Sequence, residues 1–355
     1  MCQRIMINVN VKKYKNSLLE IARKNEIPEE VAESIIDCMV LTDRFGIFTH
    51  GTTNLGKYIK KMKAGGIQTI APTMVAEGPT WARLDGQDNF GMYNGRYAMD
   101  LAIEKAKQTG MGMVTVNSSG HCGAISNYTV YGAEKGFLCI GMSNAVKLMC
   151  VPGAKGNVIG NSPISYALPR KSGHPIFMDI ALSEVAKLKV VKLQKEGKPV
   201  PDGWCVDADG VPTNHPEGNN FSLLPMSAHK GYCMAFFVEV LTTVLSGGSF
   251  DVRSWLFADP KTPSELAHTM IAIDVKKMLG EEAWEERLDF YVKDITGAPK
   301  AKGSDKIFYP GEPNWVLFDK TETEGLTLPD DVEAEVRSLF EANGMDLGIC
   351  TEEAK

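Results

Sequence analysis

Apolar positions recur at helical spacing through the first third of the chain and as short continuous runs through its middle. Val11 to Arg23 carries them at mixed helical spacing, which predicts a first helix. After Ile27, Pro28 opens a second helix at a position where its missing N–H costs nothing. The apolar set of that helix (Val31, Ile35, Ile36, Met39, Val40) fits a 3.6-residue period and should run out near Gly46. Leu55 to Met62 is a short helix closed by Gly65-Gly66, and Tyr93 to Gln108 a longer one with Gly110 just past its end. The texture then changes. Met113–Val116, Phe137–Met142, Val158–Ala167 and Ile176–Ile180 are apolar, β-rich runs, with helical segments at Ala124–Lys135 and Ser183–Gly197 between some of them. Runs buried on both faces and alternating with helices predict a central sheet with helical cover. Gly231 to Ser246 reads as a long apolar helix ending at Gly247-Gly248, and Glu281–Asp294 and Pro329–Asn343 as amphipathic helices. Residues 197–220, rich in Pro, Gly, Asp and Asn, predict irregular surface. There is no internal repeat and no low-complexity tract.

Composition narrows the setting. The 355 residues are 44% hydrophobic and 23% charged, enough for one large or two medium domains. The net charge of −6, with basic residues scattered, argues against nucleic acid and against an anionic lipid surface. No apolar run reaches the roughly 18 residues that cross a bilayer, and MCQRIMINVNVKKYK has no apolar signal-peptide core. Eight cysteines (2, 38, 122, 139, 150, 205, 233, 350) include no C-x-x-C pair, which predicts free thiols in a reducing cytoplasm. His121 and Cys122 are adjacent, but no second pair stands at ligand spacing, so no metal site is expected.

Candidate chemistry begins with an absence. No G-x-G-x-x-G turn follows an early strand, and there is no Walker A loop, G-x-S-x-G elbow or H-E-x-x-H. Any nucleotide must be held another way. Five stretches remain. In T-D-R-F-G-I-F-T-H-G (42–51), His50 follows a helix end, where it could equally serve the helix dipole. In S-S-G-H-C-G-A-I-S (118–126), His121 sits between glycines at the carboxyl end of a strand, where open α/β sheets place ligands and where an imidazole can shuttle protons. Asp179 in M-D-I-A-L-S-E (178–184) ends an apolar run, and Ser183 can cap a helix. Lys230 and Gly231 in L-P-M-S-A-H-K-G-Y (224–232) precede an apolar helix whose N-terminus suits a pyrophosphate. Y-P-G-E-P (309–313) is a turn.

In order and spacing these five stretches resemble the malate/L-lactate dehydrogenase family that lacks a Rossmann fold, which includes ureidoglycolate and sulfolactate dehydrogenases and 2,3-diketogulonate reductase. The family's acidic-x-x-G-x-x-S-H-G stretch corresponds to Asp43–Gly51, with Thr49 for the serine. Its H-x-G loop matches His121-Cys122-Gly123, its D-M-A-x-S matches Asp179–Ser183, and its P-G-E matches Pro310–Glu312. Its G-T-N-P matches Gly160-Asn161-Ser162-Pro163 only partly, and its G-x-K-G-Y loop begins here with Ala228. The likeness spans roughly residues 10–345. It implies an α/β fold: a non-Rossmann NAD(P)-binding sheet domain covered by helices (76–314), plus a helical domain from the terminal segments (1–75 with 315–355). It further implies a homodimer and a cofactor, NAD or NADP, held by Asn144, Asn161, Asp179, Ile180, Ala181, Ser183, His229, Lys230, Pro310, Gly311 and Glu312. His121 and His50 would face the nicotinamide and substrate, with His121 favoured as acid–base because its flanking glycines leave it accessible.

The chain departs from that pattern at the substrate end. The family often carries a carboxylate-clamping arginine three residues after the S-H-G glycine; here that position is Asn54. A second arginine, which ureidoglycolate dehydrogenases place before an I-V-I-N-like strand, has no counterpart in Thr262–Ala267. Asn54 and Lys147 are the expected substrate residues, with Lys147 in place of the clamp; alternatively the substrate lacks a simple α-carboxylate or binds it through backbone groups. The expected function is interconversion of a 2-hydroxy acid (malate, lactate, ureidoglycolate or sulfolactate-like) and its 2-oxo acid by hydride transfer. The alternatives are reduction of a cyclic imine acid, or a non-catalytic dinucleotide-binding protein.

Overall fold

The computed structural model describes residues 7–250, 252 and 259–351; Cys2 lies outside them. The first helices follow the pattern read above. Asn10 caps α1 (Val11–Lys24), its side chain accepting from the Lys13 amide, and Pro28 precedes α2 (Glu29–Arg44). Helix α3 (Leu55–Lys63) is short, and α4 (Gly91–Thr109) ends on left-handed Gly110.

The centre is a seven-stranded sheet. Its strands are β1 (Thr73–Gly78), β2 (Trp81–Asp85), β3 (Met111–Ser119), β4 (Leu138–Ser143), β5 (Ile164–Leu168), β6 (Ile176–Ile180) and β7 (Leu266–Ile273), in the spatial order β1-β2-β3-β7-β4-β5-β6. Only β2 and β3 pair in parallel; the other five neighbour pairs are antiparallel. Helices α4 and α5 (Ser126–Glu134) lie against the sheet, as does the π-helical turn Val240–Val244 that follows α7 (His229–Glu239).

Several elements differ from the pattern. The helix expected over Ser183–Gly197 begins later, as α6 (Lys187–Lys195). Leu182–Glu184 stay extended because their backbone groups bond residues 224–226: Glu184 N–H to Leu224 O at 2.8 Å and Met226 N–H to Leu182 O at 2.9 Å. The run Val158–Ala167 splits into Ile159–Gly160 and β5, since Pro163 has no amide to donate and Ser162 takes φ 23. The long apolar helix widens into a π turn where Thr269 Oγ1 donates to Leu241 O at 2.7 Å, intruding on the helical ladder. Strands β1, β2 and β7 and the helix Glu312–Glu324 were not evident from the pattern. In β7 the apolar alternation is interrupted by His268 and Thr269, both fully buried.

One apolar core runs from α1 (Tyr14, Leu18, Ile21) through the sheet (Leu84, Val114, Val116, Met270) to the C-terminal helix (Val336, Phe340). The terminal segments meet directly: Asn8–Val9 pairs with Leu326–Thr327, and Tyr14 stacks on Phe340 at 6.3 Å. Met270 is fully buried at the middle of the central strand. Met270→Ala should therefore lower unfolding free energy by about 2–5 kcal/mol, read from urea titration of the variant against the parent.

Candidate active site

His121 lies in the loop between β3 and α5, and that loop is held from below. Gly120 N–H donates to Asn89 O at 2.9 Å. The imidazole of His268, fully buried in β7, places Nε2 3.1 Å from Gly120 O and 3.0 Å from Ser119 Oγ, and Nδ1 2.9 Å from Ser143 Oγ. A carbonyl only accepts, so Nε2 carries a proton toward Gly120, and the Ser143 hydroxyl beside Nδ1 donates to Asn144 O at 2.8 Å. Burial keeps this ring neutral, its pKa pushed down to about 4.

The same reasoning fixes His121. Its Nδ1 lies 2.6 Å from the buried Tyr58 hydroxyl and 3.3 Å from the Gly123 amide. A backbone amide only donates, so Nδ1 is the bare nitrogen, Tyr58 donates to it, and Nε2 bears the hydrogen. Burial, reinforced by the neighbouring His50 and His268, pushes its pKa down to about 3. The ring is neutral, with Nε2–H as its remaining donor.

His50 closes a 3-10 turn (Phe48–His50) after α2. Asp43, buried near the end of α2, anchors this loop: Oδ2 accepts from the Thr52 amide at 3.2 Å and the Thr52 hydroxyl at 2.5 Å, and Tyr14 shares that hydroxyl at 2.7 Å. Gly51 is required, since a Cβ there would stand 1.7 Å from Asp43 Oδ1. Burial pushes the Asp43 carboxyl up to about 7 despite its two bonds to Thr52. Thr49 Oγ1 lies 3.0 Å from His50 Nδ1, so threonine keeps the hydroxyl that the serine of the pattern would bring. The His50 and His121 ring centroids are 5.7 Å apart at an interplanar angle of 26°. His50 opens to the cavity but is recessed within the fold, which lowers its pKa; the Asp179 carboxylate opposes that shift.

Both rings line a cavity of about 400 Å³ with Ser143, Asn144, Asn161 and Asp179, walled by Ile47, Ile125, Val146, Leu148 and Pro163. Among the described residues lining it there is no lysine or arginine. Asp179 Oδ2 accepts from the Ser126 amide at the start of α5, 2.7 Å. Burial raises its pKa, while the bonds from Ser126 and the nearby His50 hold it down.

The residues expected to grip a cofactor, Asn144 apart, gather along one edge strand and its extension, where Leu182 N–H donates to Asn161 O at 2.8 Å. Asp179 and Ala181 line the cavity; Ile180 turns toward the apolar core beneath it. Ser183 bonds Val185 O at 2.8 Å and bridges Pro225, which brings this strand end beside the exposed His229 and Lys230 at the N-terminus of α7. At the other end Phe177 N–H donates to Pro310 O at 3.3 Å, seating Gly311 and Glu312 against β6. Glu312 accepts from Lys306 at 2.6 Å. Asn144 is locked by Thr243 Oγ1 at 2.9 Å and by the Ala267 amide at 2.8 Å. Ser162, next to Asn161, donates to Glu239 of α7 at 2.7 Å, tying the altered G-N-S-P loop to that helix.

Two expected substrate residues stand elsewhere. Asn54 is buried, and its amide donates to Thr49 O at 2.9 Å, so it holds the His50 loop rather than facing the cavity. Lys147 is exposed, outside the cavity that its neighbours Val146 and Leu148 line. Conversely, the motifs passed over Tyr58 and His268. Tyr58 sits seven residues after Gly51 on the inner face of a short helix, a signal that looks like core packing; His268 interrupts an apolar run, the one local hint of a polar duty.

The cavity has room for a small ring with a small acid, and its mixture of apolar walls with few convergent polar groups suits that load. The rest of a dinucleotide would have to leave along the 181–184 strand end. There α7 offers an 11-residue helix N-terminus with Lys230 exposed, and Gly231 packs so closely that a Cβ would meet Met226 O at 2.3 Å. The residues present thus fit a nicotinamide dinucleotide.

Comparisons agree with this arrangement. The sequence profile of the malate/L-lactate dehydrogenase family matches residues 9–337. A malate dehydrogenase from Pyrococcus abyssi is 30% identical over 92% of this chain and 92% of its own. A ureidoglycolate dehydrogenase (NAD(+)) from Escherichia coli is 28% identical over 86% of this chain and 88% of its own. The solved structure of delta1-piperideine-2-carboxylate reductase from Pseudomonas syringae superposes with a TM-score of 0.83 at 25% identity, covering 94% of this chain and 99% of that one.

Two outcomes follow from the loops. Ala228, before α7, holds φ 56 and ψ −121, a region that favours glycine. Ala228→Gly should raise stability by about 1 kcal/mol, measured as a higher midpoint of thermal or urea unfolding. Asp43 holds its proton up to about pH 7 in the fold, against an ordinary 3.8, so the folded state binds more protons than the unfolded chain across that window. Its contribution to stability therefore falls as pH rises from 3.8 to 7, by about 1.4 kcal/mol per pH unit at steepest, and is flat above. Asp43→Asn should remove that slope from the pH dependence of urea unfolding; an unchanged slope would place its source elsewhere.

Proposed function

The chain belongs to the malate/L-lactate dehydrogenase family, and from that premise we propose that it is an NAD(P)-dependent oxidoreductase interconverting a 2-hydroxy acid and its 2-oxo acid. The observation that carries this is the pair of neutral imidazoles 5.7 Å apart on one cavity, with Asp179 beside them. NAD or NADP, when bound, accepts or returns the hydride at the substrate carbon.

The protein's own part is to hold an oxygen and move a proton. A secondary hydroxyl both accepts and donates, and the two rings can offer complementary nitrogens. His121 presents Nε2–H, fixed by Tyr58 and the Gly123 amide at Nδ1, and so donates to the substrate oxygen. That nitrogen cannot also be the base. We assign to His50 the complementary tautomer, with Nδ1–H toward Thr49 Oγ1 3.0 Å away, so that its bare Nε2 takes the hydroxyl proton during oxidation and returns it during reduction. The favoured acid–base thus moves from His121 to His50. The Asp179 carboxylate stabilises the imidazolium that His50 becomes. Asn144, Asn161, Asp179, Ile180, Ala181, Ser183, His229, Lys230 and the Pro310–Glu312 turn border the path for the cofactor.

Reduction of a cyclic imine acid is the second reading, favoured by the likeness to the piperideine-carboxylate reductase structure. It needs the same hydride and the same proton source. A panel of 2-hydroxy, 2-oxo and cyclic imine acids followed at 340 nm separates the two, because the true class turns over fastest.

The assembly proposed is a homodimer. An apolar stripe follows the N-terminal turns of α7: Phe236, Phe237, Val244 and Leu245 are each about half exposed or more. Light scattering should give twice the chain mass. A cytoplasmic setting is supported by the seven free cysteines among the described residues, six of them buried.

His50→Ala and His121→Ala should each cut turnover by roughly 100-fold or more while leaving cofactor affinity near normal. His121→Asn, which keeps an N–H donor, should retain more activity than His121→Ala. The acidic limb of the pH–rate profile should vanish with His50→Ala alone; if it vanishes with His121→Ala instead, the two roles are reversed. Loss of cofactor binding in either variant would make that histidine structural.

A further inference from the structure

Asn144 and Asn161 line the cavity from two separate segments, and one carboxylate behind them joins both. Glu239, the last residue of α7, is half-buried and receives a hydroxyl on each oxygen. Ser162 Oγ donates to Oε1 at 2.7 Å, and Thr243 Oγ1 donates to Oε2 at 3.0 Å. Thr243 stands four residues on, in the π turn, and so shares a face with Glu239. The direction of these bonds is fixed from the sheet. The Ala267 amide can only donate, so the Asn144 atom it meets at 2.8 Å is Oδ1, and Nδ2 donates to Thr243 Oγ1 at 2.9 Å. Thr243 then has its one hydrogen left for Glu239. A carboxylate accepts at both ends of such a chain; a side-chain amide has one acceptor oxygen and meets the second hydroxyl with a donor.

The Ser162 arm holds a bend. Ser162 is fully buried at φ 23, a conformation that a residue with a side chain keeps only where its surroundings impose it. Three bonds do so: Leu182 N–H to Asn161 O at 2.8 Å, Ser143 N–H to Pro163 O at 3.2 Å, and Ser162 Oγ to Glu239. The bend leaves half-buried Asn161 on the cavity, with a side-chain amide that makes no hydrogen bond among the described residues. An amide carries a donor and an acceptor side by side, and the carboxamide on a nicotinamide ring carries the matching pair.

We infer that Glu239 is a positioning residue for the nicotinamide: through Ser162 it sets the amide of Asn161, through Thr243 that of Asn144, and so it sets how the ring lies beside His50 and His121. This rests on the dehydrogenase assignment above. Glu239 closes the helix whose first turn carries Lys230, so one element serves both ends of the cofactor path.

Calorimetric binding tests this without turnover. The ligands are NADH and NADPH, and ADP-ribose and its 2′-phosphate, which lack the nicotinamide. The proteins are the parent, Glu239→Gln and Thr243→Val. Affinity for the preferred dinucleotide should fall about 10-fold in each variant, while affinity for the matching ADP-ribose stays within about twofold. Thr243→Ser keeps the hydroxyl and should bind the dinucleotide within about twofold of the parent, which separates loss of the bond from loss of packing. Should Glu239→Gln fail to fold, the Thr243 pair carries the same comparison. Equal losses on dinucleotide and ADP-ribose, no loss on the dinucleotide in a folded variant, or a Thr243→Ser as weak as Thr243→Val would overturn the assignment. A parent that binds neither dinucleotide would instead sink the dehydrogenase reading, and this inference with it.

Discussion

The hydrogen bond from Tyr58 to Nδ1 of His121, 2.6 Å long and buried, is the constraint on which the site depends. Together with the Gly123 amide it occupies the only lone pair in the plane of that ring on its inner side, and so decides which nitrogen looks outward and that it does so with a hydrogen. Once that is fixed, the facing ring of His50 must supply the opposite polarity if the two are to share one hydroxyl. The bond in turn rests on a short helix held by the Asp43–Thr52–Tyr14 cluster on one side and on a loop held by His268 on the other. Four buried polar groups thus place two that remain available.

Burial works in the same direction on every ionisable group nearby. It lowers the pKa of His50, His121 and His268 and raises that of Asp43 and Asp179. Neutral imidazoles leave Asp179 as the one acidic group among the described lining residues, and in so enclosed a space a single added proton is felt strongly. No lysine or arginine is among the described lining residues.

The cofactor path follows from the sheet rather than from a glycine turn. Strand β6 and its extension to Glu184 carry Asp179 at the cavity, the Pro310 turn at one end and the N-terminus of α7 at the other. Segments separated by more than a hundred residues become one wall because each bonds the same edge strand. Ser162 and Glu239 then join that wall to α7.

Periodicity alone was enough to mark α1 to α4 and most of the sheet, because alternation records local burial, and local burial is what those elements share. The order of five short motifs was enough to bring His50 and His121 together, along with the segments around Asp179, Lys230 and Pro310. It could not mark β7, whose apolar rhythm is broken by a buried histidine, nor the extended 182–184 segment, whose partners lie some forty residues on. Nor could it tell that Asn54 faces a carbonyl and Lys147 the solvent. Above all, the chain alone left open which imidazole bears a proton toward the cavity. A tautomer is set by whatever donates to the other nitrogen, and for His121 that donor is a tyrosine 63 residues away, brought within reach only when helix and strand pack.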